Sequence, residues 1–500
     1  MTNKPLQNIV KGAGIIIIGA VIGTGLRFIS KIIVARNITQ TEYGIYSLAL
    51  VVFNIFVTLS LLGLPEGITR QVSYHRDKVK EITSSSLLIA SVSGIVFSAI
   101  LYLSSGVISL RVFGNPGLTQ PLRIFSVAIP FSVLMGVLIS LFRGFGRADV
   151  NVVFQDFLRR IIFILFLFGA IIGGFSFERV IYAYTFSVII TCTALIIYSL
   201  KSIPVTKKFG FTTELLLFSV PLLITIVLNT VMNWTDTLML GCFKTPDVVG
   251  LYNAASPLAN FIPIFLTSAA FMYNPIASQL YSENKIYELK RVYQVITKWI
   301  FSATLPVFLV MFLFPEFVLN LIFGTNYIPA AFALKILILG LMFHVIMGLN
   351  GLSLIVLGKT NFVMYIALIG AIANVTLNIA LIPFLGINGA AIASAASYIS
   401  VNILASVRLY QISGIHPFTK NYIKPIFISL LLLTFIYLIP PPIDNLLILL
   451  IFLVLYLFGY IILLLLTKSF DREDIDLLLA IERRVGLNLK LIKKILKRFV

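Results

Sequence analysis

The sequence predicts an all-α integral membrane protein with about fourteen transmembrane helices. Hydrophobic residues make up 59% of the 500 residues and charged residues only 11%, and the mean hydropathy is +1.03. A soluble protein carries about 25% charged residues. A helical span needs about 20 mostly apolar residues, and about fourteen segments of the chain have that length. The connections between these segments are short, as is typical of a bundle of membrane helices.

The predicted spans follow one another along the chain up to position 467. They begin near Ile9, Gly44, Ile82, Leu122, Val152, Val180, Leu215, Val249, Val292, Ala331, Phe362, Asn388, Ile423 and Leu446. The longest connection, at about Asn274 to Arg291, could not hold a soluble catalytic domain. The three histidines show no metal-ligand spacing. We therefore expect no enzyme and no resident cofactor.

Lysine and arginine are distributed unequally between the connections. If the N-terminus is cytoplasmic, 30 of the 38 Lys and Arg residues fall on the inner side, and Arg159 and Arg160 are counted among them. The positive-inside rule then predicts a multi-pass protein of the cell membrane with both termini in the cytoplasm. The net charge of +19 fits contact with anionic lipid headgroups. We expect membrane lipids as partners and no nucleic acid.

An internal repeat divides the predicted spans into two sets. Gly44–Ala49 at the start of span two matches Gly250–Ala255 at the start of span eight, and the two differ by 206 positions. Duplicated halves are common in transporters. We predict two pseudo-symmetric six-helix lobes and two additional C-terminal spans, followed by a cytoplasmic amphipathic basic tail. The predicted boundaries are 1–206, 207–415, 416–467 and 468–500.

Three charged residues lie within apolar segments, where ionisable groups are costly and usually functional. Arg27 and Lys31 stand one helical turn apart in span one, and Asp236 lies in span seven. Arg27 offers a planar fork to phosphate oxygens, and Lys31 offers a point charge. We predict that both cations contact an anionic substrate, although Lys31 could instead reach outward to the membrane surface.

Glycines surround Arg27 in span one. Gly23 and Gly25 could form a bend at which the helix moves during transport. Gly19 and Gly23 also form a small-xxx-small pair, which allows another helix to pack closely. The sequence leaves both interpretations open.

Other polar residues in spans could contact a polar substrate, although each could also serve packing. We expect the asparagines to hydrogen-bond to such a substrate and the tryptophan to stack on it. These residues are Asn54, Asn229, Asn233, Trp234 and Asn260. His344 in span ten stands alone, and we expect it to make a hydrogen bond between helices.

Several motifs together resemble a known family. They are Ile33–Asn37 followed by Glu42–Ala49, Gly63-Leu64 with Arg70, and Ile382–Ala391. In this order they are similar to the polysaccharide exporters, the Wzx-like flippases of the multidrug/oligosaccharidyl-lipid/polysaccharide superfamily. The resemblance covers essentially the whole chain and agrees with fourteen spans. It implies transport of oligosaccharides carried on polyprenyl or dolichyl phosphates or pyrophosphates, with glycosyltransferases or a polymerase of the same pathway as partners. The resemblance also implies that the asparagines meet sugar hydroxyls and that Trp234 stacks on a sugar ring.

The resemblance also bears on Asp236. Some lipid II flippases of the superfamily have a sodium site, and the matching positions here are Asp236, Asn374, Asn378 and Ser394. Asn378 stands where an acid could stand, so this set carries fewer negative charges. The smaller negative charge disfavours binding of a cation. Asp236 could still bind Na⁺ or H⁺ as a coupling ion, or it could pair with Arg27 or Lys31. The asparagines could instead make hydrogen bonds between helices.

The sequence thus predicts a flippase that moves lipid-linked oligosaccharide by alternating access between two lobes. Two alternatives remain. One is a multidrug cation antiporter of the same superfamily, which the additional C-terminal spans and a cationic cavity disfavour. The other is a membrane-embedded sugar polymerase or ligase, which the short outer loops disfavour.

Overall fold

The computed structural model describes residues 4–174, 176–419, 422, 424–438 and 446–467, and the regular structure in these residues is helical. Short π-helical and 3₁₀ turns interrupt or join some of the helices. The α-helices are α1 (Lys4–Asn37), α2 (Gln40–Ser60), α3 (Leu64–Tyr74), α4 (Val79–Val107), α5 (Thr119–Gly144), α6 (Asp149–Asn151), α7 (Arg159–Ile172), α8 (Phe177–Ser199), α9 (Thr212–Phe243), α10 (Pro246–Ala259), α11 (Ile264–Ser282), α12 (Ile286–Leu313), α13 (Pro315–Phe323), α14 (Ala331–Met347), α15 (Asn350–Val356), α16 (Thr360–Leu385), α17 (Ile387–Ser413), α18 (Lys424–Leu438) and α19 (Leu446–Leu466).

The helices confirm an all-α membrane protein. Each of the fourteen predicted spans coincides with a helix or a run of joined helices. Among the described residues, nine such runs are long and apolar enough to cross a membrane, and α10 with α11 forms a tenth that is bent by 46°. The remaining predicted spans correspond to α1, α7, α18 and α19. The total of fourteen therefore stays a prediction.

The fifth predicted span is one helical run with a widened turn. A π-helical segment at Val152–Leu158 joins α6 to α7, and π turns within helices often mark functional sites. Arg159 and Arg160 directly follow this segment, about midway along the run. Arg160 interacts electrostatically with Tyr184 of α8 and Tyr46 of α2. These two arginines therefore lie within a helical run, and their expected position on the inner side of the membrane stays a prediction.

The repeat motifs contact each other at the starts of α2 and α10. A Cβ at Gly44 would lie 1.7 Å from the carbonyl oxygen of Pro246, and a Cβ at Gly250 would lie 2.3 Å from that of Gln40. Each contact is the counterpart of the other after a shift of 206 residues. The side-chain amide of Gln40 also donates to the carbonyl of Asp247 at 2.9 Å. This reciprocity supports the register of the repeat, and it requires glycine at both positions.

The described chain packs into two compact units. The first contains the described parts of Met1–Ala254, Leu319–Ala330 and Asn378–Ala390. The second contains those of Ala255–Val318, Ala331–Leu377 and Ala391–Val500. The lobe boundaries predicted at 206 and 415 rest on the repeat rather than on packing, and they stay predictions. The predicted basic tail, 468–500, lies outside the described residues.

The second unit contains a broken helix held by neutral hydrogen bonds. Gly348 separates α14 from α15 with a φ of +69°, a conformation that favours glycine. The Tyr293 hydroxyl donates to the freed carbonyl of Met347, and the Tyr422 hydroxyl donates to that of Ile346 at 3.0 Å. This bonding satisfies carbonyls that a continuous helix would have paired.

His344, near the end of α14, also makes a hydrogen bond to a neutral side chain. Its Nδ1 lies 2.8 Å from the side-chain oxygen of Asn402 on α17, and the buried Asn350 amide donates to the Asn402 carbonyl at 3.2 Å. The predicted hydrogen bond of His344 between helices is confirmed.

Candidate functional site

The small residues of α1 form a close contact with the π-helical segment of the fifth span. A Cβ at Gly19 would lie 1.9 Å from Cγ1 of Val152, and a Cβ at Gly23 would lie 2.6 Å from Cβ of Asp156. The two glycines and their two partners are each four residues apart. This contact confirms the close-packing interpretation of the small-xxx-small pair.

The helical hydrogen bonding of α1 continues through the position proposed as a bend. The α1 helix runs without a break from Lys4 to Asn37, through both Gly23 and Gly25. A Cβ at Gly25 would meet no described atom within 4 Å. Gly23 therefore provides space for another helix in this conformation. A role for either glycine in movement stays a prediction.

Asp156 brings a carboxylate to the charged part of α1. It interacts electrostatically with the guanidinium groups of Arg27, Arg160 and Arg159, in decreasing order of strength. The Asn151 amide also donates to its Oδ2 at 3.4 Å. Asp156 therefore joins the charged part of α1 across a helix contact, and the sequence alone did not predict it as a site residue. The small-xxx-small pair was the available signal, since such a face shows where a second helix approaches.

Lys31 belongs to the same group of charges through its interactions with two of these arginines. Lys31 interacts electrostatically with Arg27 and Arg160, and Arg160 also interacts with Arg159. Arg27 is exposed in the folded chain and Lys31 is half-buried. We call Arg27, Lys31, Arg159 and Arg160, together with Asp156, the cationic cluster.

Two donors of the cationic cluster are buried without a bonding partner. The Nε atoms of Arg159 and Arg160 have no hydrogen-bond acceptor within the described part of the chain. Because a buried donor that makes no bond is costly, such atoms need an explanation in a native structure. Guanidinium groups in this state suit an incoming anion, since charge-assisted bonds to phosphate are strong and geometrically selective.

Asp236 lies in a different environment, which we call the Asp236 site. Its carboxylate accepts hydrogen bonds from the Tyr252 hydroxyl and, at 2.8 Å, from the buried Asn378 amide. The predicted proximity of Asp236 and Asn378 is therefore present in the structure. Tyr252 was missed as a site residue, although it belongs to the repeat motif and could have been singled out there. Pairing of Asp236 with Arg27 or Lys31 stays a prediction.

The other two residues of the predicted sodium set form a hydrogen bond with each other. The Asn374 amide donates to the Ser394 hydroxyl at 3.2 Å. These two residues belong to the second compact unit, whereas Asp236 and Asn378 belong to the first. Within the described residues, no group of three or more His, Cys, Asp or Glu side chains could hold a metal ion. Sodium binding stays a prediction.

The remaining predicted substrate-binding residues lie in varied surroundings. Asn54 is half-buried, and its amide donates to the Leu50 carbonyl of its own helix at 2.7 Å. The structure leaves the contacts of the others with sugar as predictions: Asn229 and Asn233 are exposed, Trp234 is half-buried, and Asn260 is exposed next to the bend after α10.

Long apolar helices, a duplicated motif and charged clusters within spans define a polytopic membrane protein of the transporter class. Comparison with known families agrees. The polysaccharide biosynthesis protein family matches residues 9–281, more than half of the chain, and the MatE family matches residues 221–380. The chain belongs to the polysaccharide biosynthesis protein family, within the multidrug/oligosaccharidyl-lipid/polysaccharide superfamily.

Similar proteins cover most of the chain. An uncharacterised membrane protein of Methanocaldococcus jannaschii is 23% identical over 88% of this chain and 91% of its own length. A probable low-salt glycan biosynthesis flippase of Haloferax volcanii is 22% identical over 76% and 79% of the two lengths. The solved lipid II flippase MurJ, in an inward closed conformation, superposes with a TM-score of 0.73 at 16% identity, over 91% of this chain and 98% of that one. At this identity the superposition establishes the fold alone.

Proposed function

We propose that the protein is a flippase that moves lipid-linked oligosaccharide across the cytoplasmic membrane for cell-surface polysaccharide or glycoprotein assembly. The observation that carries this proposal is the cationic cluster, found in a chain of the polysaccharide biosynthesis protein family. A lipid-linked sugar has an anionic phosphate or pyrophosphate between its apolar tail and its polar glycan. Such a molecule needs cationic donors at membrane depth and an apolar surface beside them.

The charges of the cationic cluster fit binding of an anionic substrate better than a role in stabilising the fold. Ionisable groups within spans cost roughly 2.5–3.5 kcal/mol each on insertion scales, and this cluster holds four cations and one carboxylate. A structural cluster would be expected to balance its charges more closely. Arg27 is exposed in the folded chain, so its guanidinium is accessible to a ligand. We assign it to the lipid phosphate, with Lys31 as a second, point-like charge.

Alternating access between the two repeat halves and coupling to Na⁺ or H⁺ at the Asp236 site complete the proposal. The probable glycan flippase of Haloferax volcanii supports the substrate class, with a polyprenyl or dolichyl carrier. Glycosyltransferases or a polymerase of the same pathway would be the partners. A multidrug cation antiporter is the second candidate, because the MatE family also matches part of the chain. A cationic cluster repels cationic drugs and therefore favours the flippase.

The test is transport of a lipid-linked oligosaccharide in proteoliposomes. We expect Arg27→Ala to abolish transport, because the phosphate loses its main donor, and Arg27→Lys to retain part of it, because the bidentate fork is lost. Arg111→Ala is the matched control, since Arg111 is also an exposed arginine but lies at the end of α4's π-helical extension. Full transport by a folded Arg27→Ala protein would contradict the proposal.

A further inference from the structure

Asp156 is an unusual member of the cationic cluster because it carries the charge of the proposed ligand. Its carboxylate interacts with three guanidinium groups. These are the same cations that would attract a phosphate. One carboxylate cannot neutralise four cations, and the cluster keeps a net positive charge. Asp156 therefore acts as a partial substitute for an anionic ligand in the empty site.

The backbone fixes Asp156 in this position. Its Cβ lies where a side chain on Gly23 would have to be, so α1 and the fifth span meet with no intervening side chain. Val152 makes the same kind of contact with Gly19 one helical turn earlier. The carboxylate can rotate about its side-chain bonds, but the backbone holds it beside Arg27.

The two arginines that follow Asp156 in the chain have hydrogen-bond donors without acceptors. Arg159 and Arg160 each bury an Nε donor without an acceptor in the described residues. Arg160 also interacts electrostatically with Tyr46 and Tyr184, whose hydroxyls can accept as well as donate hydrogen bonds. These donors lie on the fifth span, so a ligand phosphate could be held between that span and α1.

We propose that the cationic cluster binds a phosphate or pyrophosphate group through Arg159 and Arg160 in addition to Arg27, and that Asp156 is its resident counter-ion. In the empty site Asp156 stabilises the guanidinium groups. When the anion enters, the carboxylate competes with it for the same donors. The identity of the molecule that carries the phosphate rests on the proposed function. The existence of the anion site does not.

The counter-ion has a consequence for transport. A site of four unopposed cations would bind a pyrophosphate tightly and release it slowly. A carboxylate that remains beside the donors repels the bound anion and weakens its binding, and it is ready to replace the anion as it leaves. A flippase needs such intermediate affinity because its substrate must leave on the other side of the membrane.

Binding of inorganic pyrophosphate to the full-length protein in phosphatidylcholine nanodiscs, measured by calorimetry, tests this proposal. We expect Arg160→Gln to weaken binding by tenfold or more and Arg160→Lys to weaken it less. We expect Asp156→Asn to tighten binding by about tenfold, which corresponds to about 1.4 kcal/mol. Asp149→Asn is the matched control. It removes the same charge seven positions earlier, where Asp149 forms an exposed ion pair with Arg147 at 3.0 Å.

Unchanged or weaker binding by a folded Asp156→Asn protein would overturn the counter-ion role, as would unchanged binding by Arg160→Gln. Asp156→Ser provides a second neutral variant if Asp156→Asn does not fold. Loss of transport in Arg27→Ala together with normal pyrophosphate binding in Asp156→Asn would overturn this inference and leave the proposed function intact.

Competition identifies the source of the phosphate. Displacement of pyrophosphate by polyprenyl phosphate, but not by phosphatidylglycerol added to the nanodiscs, supports the carrier lipid as the ligand. Equal displacement by both lipids supports the phosphate site but assigns it to ordinary headgroups.

Discussion

Two tyrosines at equivalent positions of the repeat face opposite charges. Tyr46 in α2 and Tyr252 in α10 are 206 residues apart, and each stands two residues after a glycine of the reciprocal contact. Tyr46 interacts electrostatically with Arg160 and Arg159. Tyr252 instead donates a hydrogen bond to the carboxylate of Asp236.

The difference shows how a duplicated backbone can serve two kinds of chemistry. A tyrosine hydroxyl can accept from a guanidinium or donate to a carboxylate, so the same residue suits either charge. Around Tyr46 the cations favour an anionic ligand. Around Tyr252 the acid is already hydrogen-bonded by two neutral donors, which suits either a cation-coupled site or a structural bond.

The largest effect is expected where the two motifs touch. Gly44→Ala or Gly250→Ala should lower the free energy of unfolding by about 3 kcal/mol or more, above the usual cost of overpacking, because the new methyl group meets backbone atoms that cannot move aside easily. Thermal unfolding in detergent measures this effect. Gly25→Ala is the control, since a Cβ there would meet no described atom within 4 Å. Equal stability of all three variants would mean that the reciprocal contact does not hold the repeats together.

Replacing the two tyrosines by phenylalanine should lower the free energy of unfolding by smaller and unequal amounts. Tyr252→Phe removes a donor from a carboxylate, and hydrogen bonds to charged groups contribute about 1.5–3 kcal/mol. Tyr46→Phe should cost less than about 1 kcal/mol, because its partners are cations that gain little from a weak acceptor. The same unfolding assay compares the two variants. A larger loss of stability for Tyr46→Phe than for Tyr252→Phe would contradict the assignment of the stronger hydrogen bond to Tyr252.

The sequence predicted the helices well because apolar length and period are local properties. Thirteen of the fourteen expected starts fall within helical segments, and the other, near Ile423, lies outside the described residues. The glycines spaced at Gly19 and Gly23 correctly indicated a close helix contact. The repeat was also visible, because Gly44 and Gly250 begin matching motifs whose structural contact requires glycine.

The partners of the charged residues were harder to predict. A single sequence gives the depth of a residue along its own helix, but it does not give the neighbour that the residue faces. Arg159 and Arg160 were therefore counted only as charges of the inner side, and Asp156 was overlooked beside them. Tyr252 was recognised as part of a repeat but not as the donor to Asp236, because that bond depends on how α9 and α10 pack.

The central claim is that the charges near Tyr46, rather than those near Tyr252, bind the anionic part of the substrate. Native mass spectrometry of a polyprenyl pyrophosphate bound to the wild type, Arg27→Gln and Asp236→Asn measures this directly. We predict at least a tenfold loss of binding in Arg27→Gln and binding within about twofold of the wild type in folded Asp236→Asn. Equal binding by Arg27→Gln and the wild type, or a loss confined to Asp236→Asn, would contradict this claim.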